Sequence, residues 1–286
     1  MLNNIGPHVE KIYLAWSELP YSDYNPAARG RYRNSTPKNL YLNSRYANKV
    51  ELVEGRWNDE TSQRNELVDI AKSNGFDVMI IQDADEFVSS EDFKKNLKYI
   101  ETNPGINAFC IPWYIYWRKT HIRIHESSRV HIGTSECYAM RLVEGSGFRN
   151  RRISNLDHSH KLPGMCHHLA YVYSDDGMKE KLDTWSHSCD LNIERWYELK
   201  WYYWSPKTIF LHPLWPDGWF CAKEVHDVIP KEMQEVENPQ FTARKMPIWV
   251  RIRELVYNSK YWIKWISRPL RASLRKVILQ MTRRAV

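Results

Sequence analysis

The chain has 286 residues, 43% hydrophobic, 13% aromatic and 26% charged, with 13 Trp and 17 Tyr, which suits one large or two small globular domains and excludes a disordered or low-complexity chain. The net charge of +7 sits at one end: from position 251 onward ten Lys or Arg face Glu254 alone, leaving residues 1 to 250 at −2, so the body is not built to wrap nucleic acid. Five cysteines without framework spacing, no apolar leader after Met1 and no bilayer-length apolar run point to a cytoplasmic protein, peripheral to a membrane at most.

In chain order, Glu10 to Trp16 is a short apolar segment rich in strand formers. A polar, proline-punctuated loop follows over residues 17 to 40. Lys49 to Glu54 alternates with period two and closes at Gly55, predicting a second strand. Residues 59 to 74 turn to helical period, with Asn58 or Asp59 as cap and Asn74-Gly75 as stop. Asp77 to Gln82 is an unbroken apolar run, as expected of a strand covered on both faces, and strand, helix and strand together predict a parallel βαβ unit.

Residues 88 to 103 predict another helix and Ala108 to Trp117 an aromatic strand, so the fold class is α/β. Residues 120 to 190 mix short strand-like pieces with His-rich loops, and 201 to 220 is dense in rings and prolines. From Pro247 onward, Ile248, Ile252, Leu255, Trp262 and Ile266, then Leu270, Leu274, Val277, Ile278 and Met281, predict two amphipathic helices with basic polar faces. Such a pair suits an anionic membrane surface.

Dinucleotide, P-loop, nucleophile-elbow and zincin signatures are absent, and Cys166, His167, His168, His187 and Cys189 match no familiar zinc spacing. The conspicuous feature is Asp83-Ala84-Asp85-Glu86 directly after the apolar run. Three carboxylates in four residues repel one another, so the strand end calls for a compensating cation, and a divalent metal would supply it. In an open α/β sheet ligands gather beyond the carboxyl ends of the strands, where this cluster falls. Two carboxylates spaced D-x-D can hold Mn²⁺ or Mg²⁺ against a diphosphate, where the metal offsets charge on a leaving group.

Arg56-Trp57-Asn58, Gln63-Arg64-Asn65, Gly75-Phe76-Asp77 and Gln82 to Phe87 together resemble the GT-A glycosyltransferases, in particular family 2 and β-1,4-N-acetylglucosaminyltransferase-like proteins, over residues 10 to 120. The resemblance implies a GT-A (Rossmann-like) mixed sheet flanked by helices over residues 1–246, beyond which the periodicity places the basic amphipathic helical tail, 247–286. It implies a metal-dependent transferase moving a sugar from a UDP- or GDP-linked donor to a glycan, lipid-linked or protein acceptor, with Mn²⁺ or Mg²⁺ as cofactor. Carried over by position, Asp85 is the expected direct metal ligand and Asp83 a ligand to metal or donor, with Arg64 and Asn65 beside the donor. A histidine from the C-terminal half is expected at the metal or diphosphate, with His187 first and His168 second.

An inverting transferase needs a carboxylate base for the acceptor hydroxyl, and Asp176, Asp175 and Glu136 are the candidates, the first two in an expected turn. Trp113, Trp117, Trp215 and Trp219 are candidates to stack on sugar faces. The chain departs from the family in lacking its first apolar strand and the Asn-Glu pair after it. Two other readings stand beside this one: a binding module for nucleic acid or anionic membrane built on the tail, and a metal-dependent nucleotidyltransferase or phosphohydrolase.

Overall fold

A computed structural model describes residues 1–21, 33–34, 36–135, 137–156, 159–184, 192–214, 216, 218–226 and 229–267. The fold is mixed α/β. After a one-turn helix α1 (Leu2–Ile5), β1 (Ile12–Trp16) runs parallel to β2 (Val50–Glu54), in register from Ile12 opposite Val50 to Trp16 opposite Glu54. Helix α2 (Glu60–Ser73) starts at Asp59, whose carboxylate accepts from the Ser62 amide at 2.6 Å. It stops where Gly75 turns to φ +74°, a conformation costly for any residue with a Cβ. Val68 and Ala71 face the core, as the helical period predicts.

Next come β3 (Val78–Ile80), β4 (Glu86–Val88) and helix α3 (Ser90–Thr102), capped by Ser89. Here the expected parallel βαβ unit needs correction. β2 pairs with β1, while β3 pairs antiparallel with β10 (Ala139–Arg141), and no ladder joins the two sheets among the described residues. Hydrophobic period reports which face of a strand is buried, not which strand lies beside it, and the partner of β3 arrives some sixty positions later. β3 is also only half-buried, not covered on both faces.

The expected strand over 108 to 117 is two strands in two sheets, β5 (Ala108–Cys110) and β6 (Pro112–Trp117). They part at the fully buried Ile111, whose amide donates to Ser135 Oγ at 3.0 Å rather than to a ladder partner. Beyond them lie β7 (Lys119–Glu126), β8 (Arg129–Val130), β9 (Ile132–Thr134), β11 (Phe148–Asn150), β12 (Ile153–Ser154), β13 (His160–Lys161) and β14 (Cys166–Tyr171). One sheet has the order β13-β5-β10-β3. The larger runs β15-β7-β6-β14-β4, with β15 at Cys221–Glu224, and carries β8 and β9 on β7 and β6.

Helix α4 (Asp175–Thr184) follows β14, and α5 (Ile193–Trp196) continues into a π-helical turn, Tyr197–Tyr202. A single turn, α6 (Lys231–Gln234), precedes α7 (Ile248–Ile266), which occupies the first of the two amphipathic segments expected at the C-terminus. The second lies outside the described residues. Against the large sheet, Trp117, Tyr171, Trp196 and Trp201 form an aromatic core. Arg118 is buried beside it, its guanidinium 4.0 Å from the Trp201 ring and 3.1 Å from the Asp175 carboxylate. A second core joins α3 to the smaller sheet through Phe93, Ile100, Phe109 and Tyr138. Among the described residues no helix is long and apolar enough to cross a membrane.

Candidate active site

The acidic turn is held from both sides. Beyond β3, the Ile81 amide donates to Tyr138 O at 2.7 Å, and Gln82 Nε2 donates to Glu86 O at 2.8 Å. The turn closes through Glu86 N to Asp83 O at 3.1 Å and Asp83 N to Glu86 Oε2 at 3.2 Å. Across the larger sheet β14 lies antiparallel to β4 with His168 opposite Glu86, and Leu169 N donates to Asp85 O at 2.8 Å. That pairing brings the His168 imidazole to Asp85, with Nε2 3.5 Å from Oδ1.

Each carboxylate of the turn meets a basic side chain. Glu86, with no exposed surface, takes Arg152 Nη1 at 2.5 Å and Nη2 at 3.1 Å. Asp83 lies 3.4 Å from both Arg64 and Arg152. Asp85 has Lys181 Nζ at 3.9 Å from Oδ2, on the side away from His168. The compensation assigned to a metal from sequence is therefore supplied, for Glu86 and Asp83, by arginines. Arg152 comes from the hairpin of β11 and β12, far along the chain, which is why the local charge pattern does not reveal it.

These contacts set the ionisation of the site. Burial raises the Asp83 carboxyl, but Arg152 and Arg64 outweigh it and hold it below the usual range. At Asp85 burial is likewise outweighed, by His168 and then Lys181, so it stays ionised. His168 moves the other way: burial disfavours its cation, yet Asp85 raises it above an ordinary histidine. Lys181 is lowered, because burial outweighs the attraction of Asp85 and Asp83. The site thus sets an ionised carboxylate beside an imidazole whose cation that carboxylate favours and an ammonium that burial disfavours.

Among the described residues no three His, Cys, Asp or Glu side chains are grouped to hold a metal by themselves. Asp85 and His168 nevertheless fit a hard cation shared with a ligand. Their 3.5 Å separation is close to the roughly 3 Å between adjacent ligands at 2.1 Å in an octahedron. Mg²⁺-type sites commonly use one or two protein donors and take the rest from phosphates and water. His168 Nδ1 is buried without a hydrogen-bond partner among the described residues, and the ring packs on Trp113, centroids 4.8 Å apart. Trp113 in turn needs Gly133, where an added Cβ would lie 2.0 Å from its Nε1.

The other expected site residues divide. Arg64 is in the cluster, bonded also to Glu60 at 3.0 Å. Asn65 is not: its amide clasps the Phe148 backbone, accepting at 2.7 Å and donating at 2.9 Å, which ties α2 to β11. Asp175 is bound to Arg118, Arg244 at 2.7 Å and Trp201 Nε1 at 3.0 Å, which makes it a structural anchor. Asp176 is exposed and its carboxylate makes no ion pair or hydrogen bond among the described residues. Five positions before Lys181 on α4, it is turned about 140° from that side chain. The expected turn at Asp175 and Asp176 is the first turn of α4, with Gly177 N donating to Ser174 Oγ at 3.1 Å.

His187, Glu136, Trp215 and Cys189 lie outside the described residues. Trp117 and Trp219 are buried core rings, unlike the half-buried Trp113. Cys166 is fully buried and its thiol is pushed up by burial, the opposite of a metal thiolate. Lys181, Arg152 and Tyr173 are the site residues that motif reading missed. For Lys181 a signal existed: Ser174 followed by two acids, then Met178 and Leu182 four apart, is a helix start.

A further cleft of about 320 Å³ opens beyond the carboxyl ends of the parallel pair β1 and β2, lined by Trp16, Lys38, Glu54 and Arg56. Lys38 Nζ lies 4.8 Å from the Trp16 ring centroid and pairs with Glu54. No protein-family model matches the chain, and no curated protein matches it.

Proposed function

We propose that the chain is a metal-dependent glycosyltransferase of the GT-A type, using a nucleotide-sugar donor and an acceptor hydroxyl. The observation that supports this most is the Asp85 and His168 pair at the end of β3, flanked by Lys181 and backed by Asp83 with its two arginines. Asp85 and His168 would hold Mn²⁺ or Mg²⁺. That ion supplies Lewis-acid neutralisation of charge on the departing diphosphate. Lys181, an ammonium at a partly desolvated position, is placed to donate to diphosphate oxygens as their charge grows. Arg64 and Arg152 keep Asp83 ionised and fixed, so the turn does not rearrange when a ligand arrives.

Trp113 and Tyr173 give the site ring faces, Trp113 beneath His168 and Tyr173 with Lys181 Nζ 4.8 Å from its centroid. Rings of this kind suit the apolar face of a sugar. For an inverting reaction the base must reach the acceptor hydroxyl; of the two candidates at the start of α4, Asp175 is tied to Arg118 and Arg244, and Asp176 has no ion pair among the described residues but is turned away from Lys181. Incubation with UDP- and GDP-linked sugars, Mn²⁺ and simple acceptors, followed by product analysis, tests the reading. A new glycoside or slow donor hydrolysis is expected, abolished in Asp85→Ala at unchanged circular dichroism. Release of nucleoside monophosphate with no free or transferred sugar would point instead to nucleotidyl or phosphohydrolase chemistry.

A further inference from the structure

Seven of the eleven large hydrophobic side chains exposed among the described residues belong to one helix, α7. At 100° per residue, Ile248, Ile252, Leu255, Val256, Ile263 and Ile266 fall within an arc of about 100°. Each is between 55% and 73% exposed. The opposite side of α7 is already used: Val250, Tyr257 and Tyr261 pack on Leu199 and Phe210. There Lys200 Nζ donates to Glu254 at 3.1 Å and Asn258 at 2.6 Å. The helix is therefore docked on the body by one face and presents a second apolar face outward. Core packing explains the first face and leaves the second without a partner among the described residues.

Charge selects what covers it. The one carboxylate on α7, Glu254, is 9% exposed and committed to Lys200, so the outward side carries no acid. Arg251 and Lys260 flank the apolar arc without a carboxylate partner among the described residues, while Arg253 is answered by Glu198 at 2.8 Å. By sequence, residues 268–286 add six Lys or Arg and no Asp or Glu. A second copy of the chain would bring these cations against themselves. A surface of anionic lipid offers both an apolar layer and phosphates of opposite sign.

We infer that the outward face of α7 docks on an anionic lipid bilayer, with the helix lying in the interface plane. A helix that cannot span the membrane but has an apolar face edged by Arg and Lys binds in this way, partly through burial and partly through roughly 1 kcal/mol per cation near the headgroups. Donor binding at the acidic turn plays no part in the docking, so this proposal and the transferase reading fail separately.

Flotation of the full chain with phosphatidylcholine vesicles, with and without phosphatidylglycerol, tests it. Binding is expected to the anionic vesicles only and to weaken as salt rises. Combined Ile252→Glu, Leu255→Glu and Ile263→Glu should reduce binding roughly tenfold or more, because the lost apolar contact is joined by repulsion. All three positions are exposed, and Gln at the same positions provides an uncharged version should the acidic variant fold poorly. No flotation with either vesicle overturns the proposal. So does binding unchanged in both folded variants, or a dimer in sedimentation velocity that the same substitutions dissociate.

Discussion

Arg152 shows how much of the site is decided by single long-range contacts. Its guanidinium answers Glu86, reaches Asp83 and donates to Ile81 O at 2.9 Å, so one side chain closes the end of β3. Replacing it with Met would leave the Glu86 carboxylate at 0% exposure without its partner. We expect Arg152→Met to cost about 3–5 kcal/mol in urea unfolding, and Glu86→Gln added to it to restore a large part. Gly133 acts at one remove. Gly133→Ala should displace Trp113, free the His168 ring and weaken metal-dependent nucleotide binding more than it lowers the melting temperature, a split that calorimetry and thermal unfolding would show. Asp83, Asp85 and Glu86 were legible in the sequence because three acids ending an apolar run are improbable without a use. Arg152 was not, because it stands among Arg149 and Arg151 and only the hairpin geometry separates it from them.

At the scale of elements, local signals held and pairing signals did not. Asn58 or Asp59 marks the start of α2 in the sequence, and the structure takes Asp59, while Asn74-Gly75 marks its end, since caps and stops are decided by neighbours in sequence. The partners of β2 and β3 are decided by contacts far along the chain, and a run of apolar residues carries no record of them. The junction of α7 with the π-helical turn tests the packing directly. Lys200, with 0% exposure, is pushed down to about 8 by burial, which Glu254 only partly offsets. Between pH 8 and the ordinary lysine value of 10.5 the unfolded chain holds more protons, so this group makes stability rise with pH across that window. The contribution approaches about 3 kcal/mol, and Lys200→Met with Glu254→Gln should flatten the rise in denaturant titrations at pH 8 and above.

For the whole molecule, the abundance of tryptophan has two explanations, and the structure divides the rings between them. Trp117, Trp196 and Trp201 build the core against the large sheet, whereas Trp113 stands half-buried beside His168. Among the described residues Trp57, Trp117, Trp196, Trp201, Trp204 and Trp219 are all buried, so abundance of rings is not by itself a sugar-binding surface. The acidic turn links β3 of the smaller sheet to β4 of the larger, and the β4–β14 ladder brings Asp85 and His168 together although they are far apart in sequence.

This meeting point is expected to bind a divalent cation together with a nucleoside diphosphate. Thermal unfolding with UDP and GDP, each with and without Mn²⁺, measures it in the intact chain alongside Asp85→Asn. A ligand at a hundred times its Kd stabilises the native state by about 2.7 kcal/mol, enough to raise the melting temperature by a few degrees. A rise is expected with one diphosphate that requires Mn²⁺ and disappears in Asp85→Asn. A folded protein whose melting temperature responds to neither diphosphate, or responds equally with Asn at position 85, would contradict it.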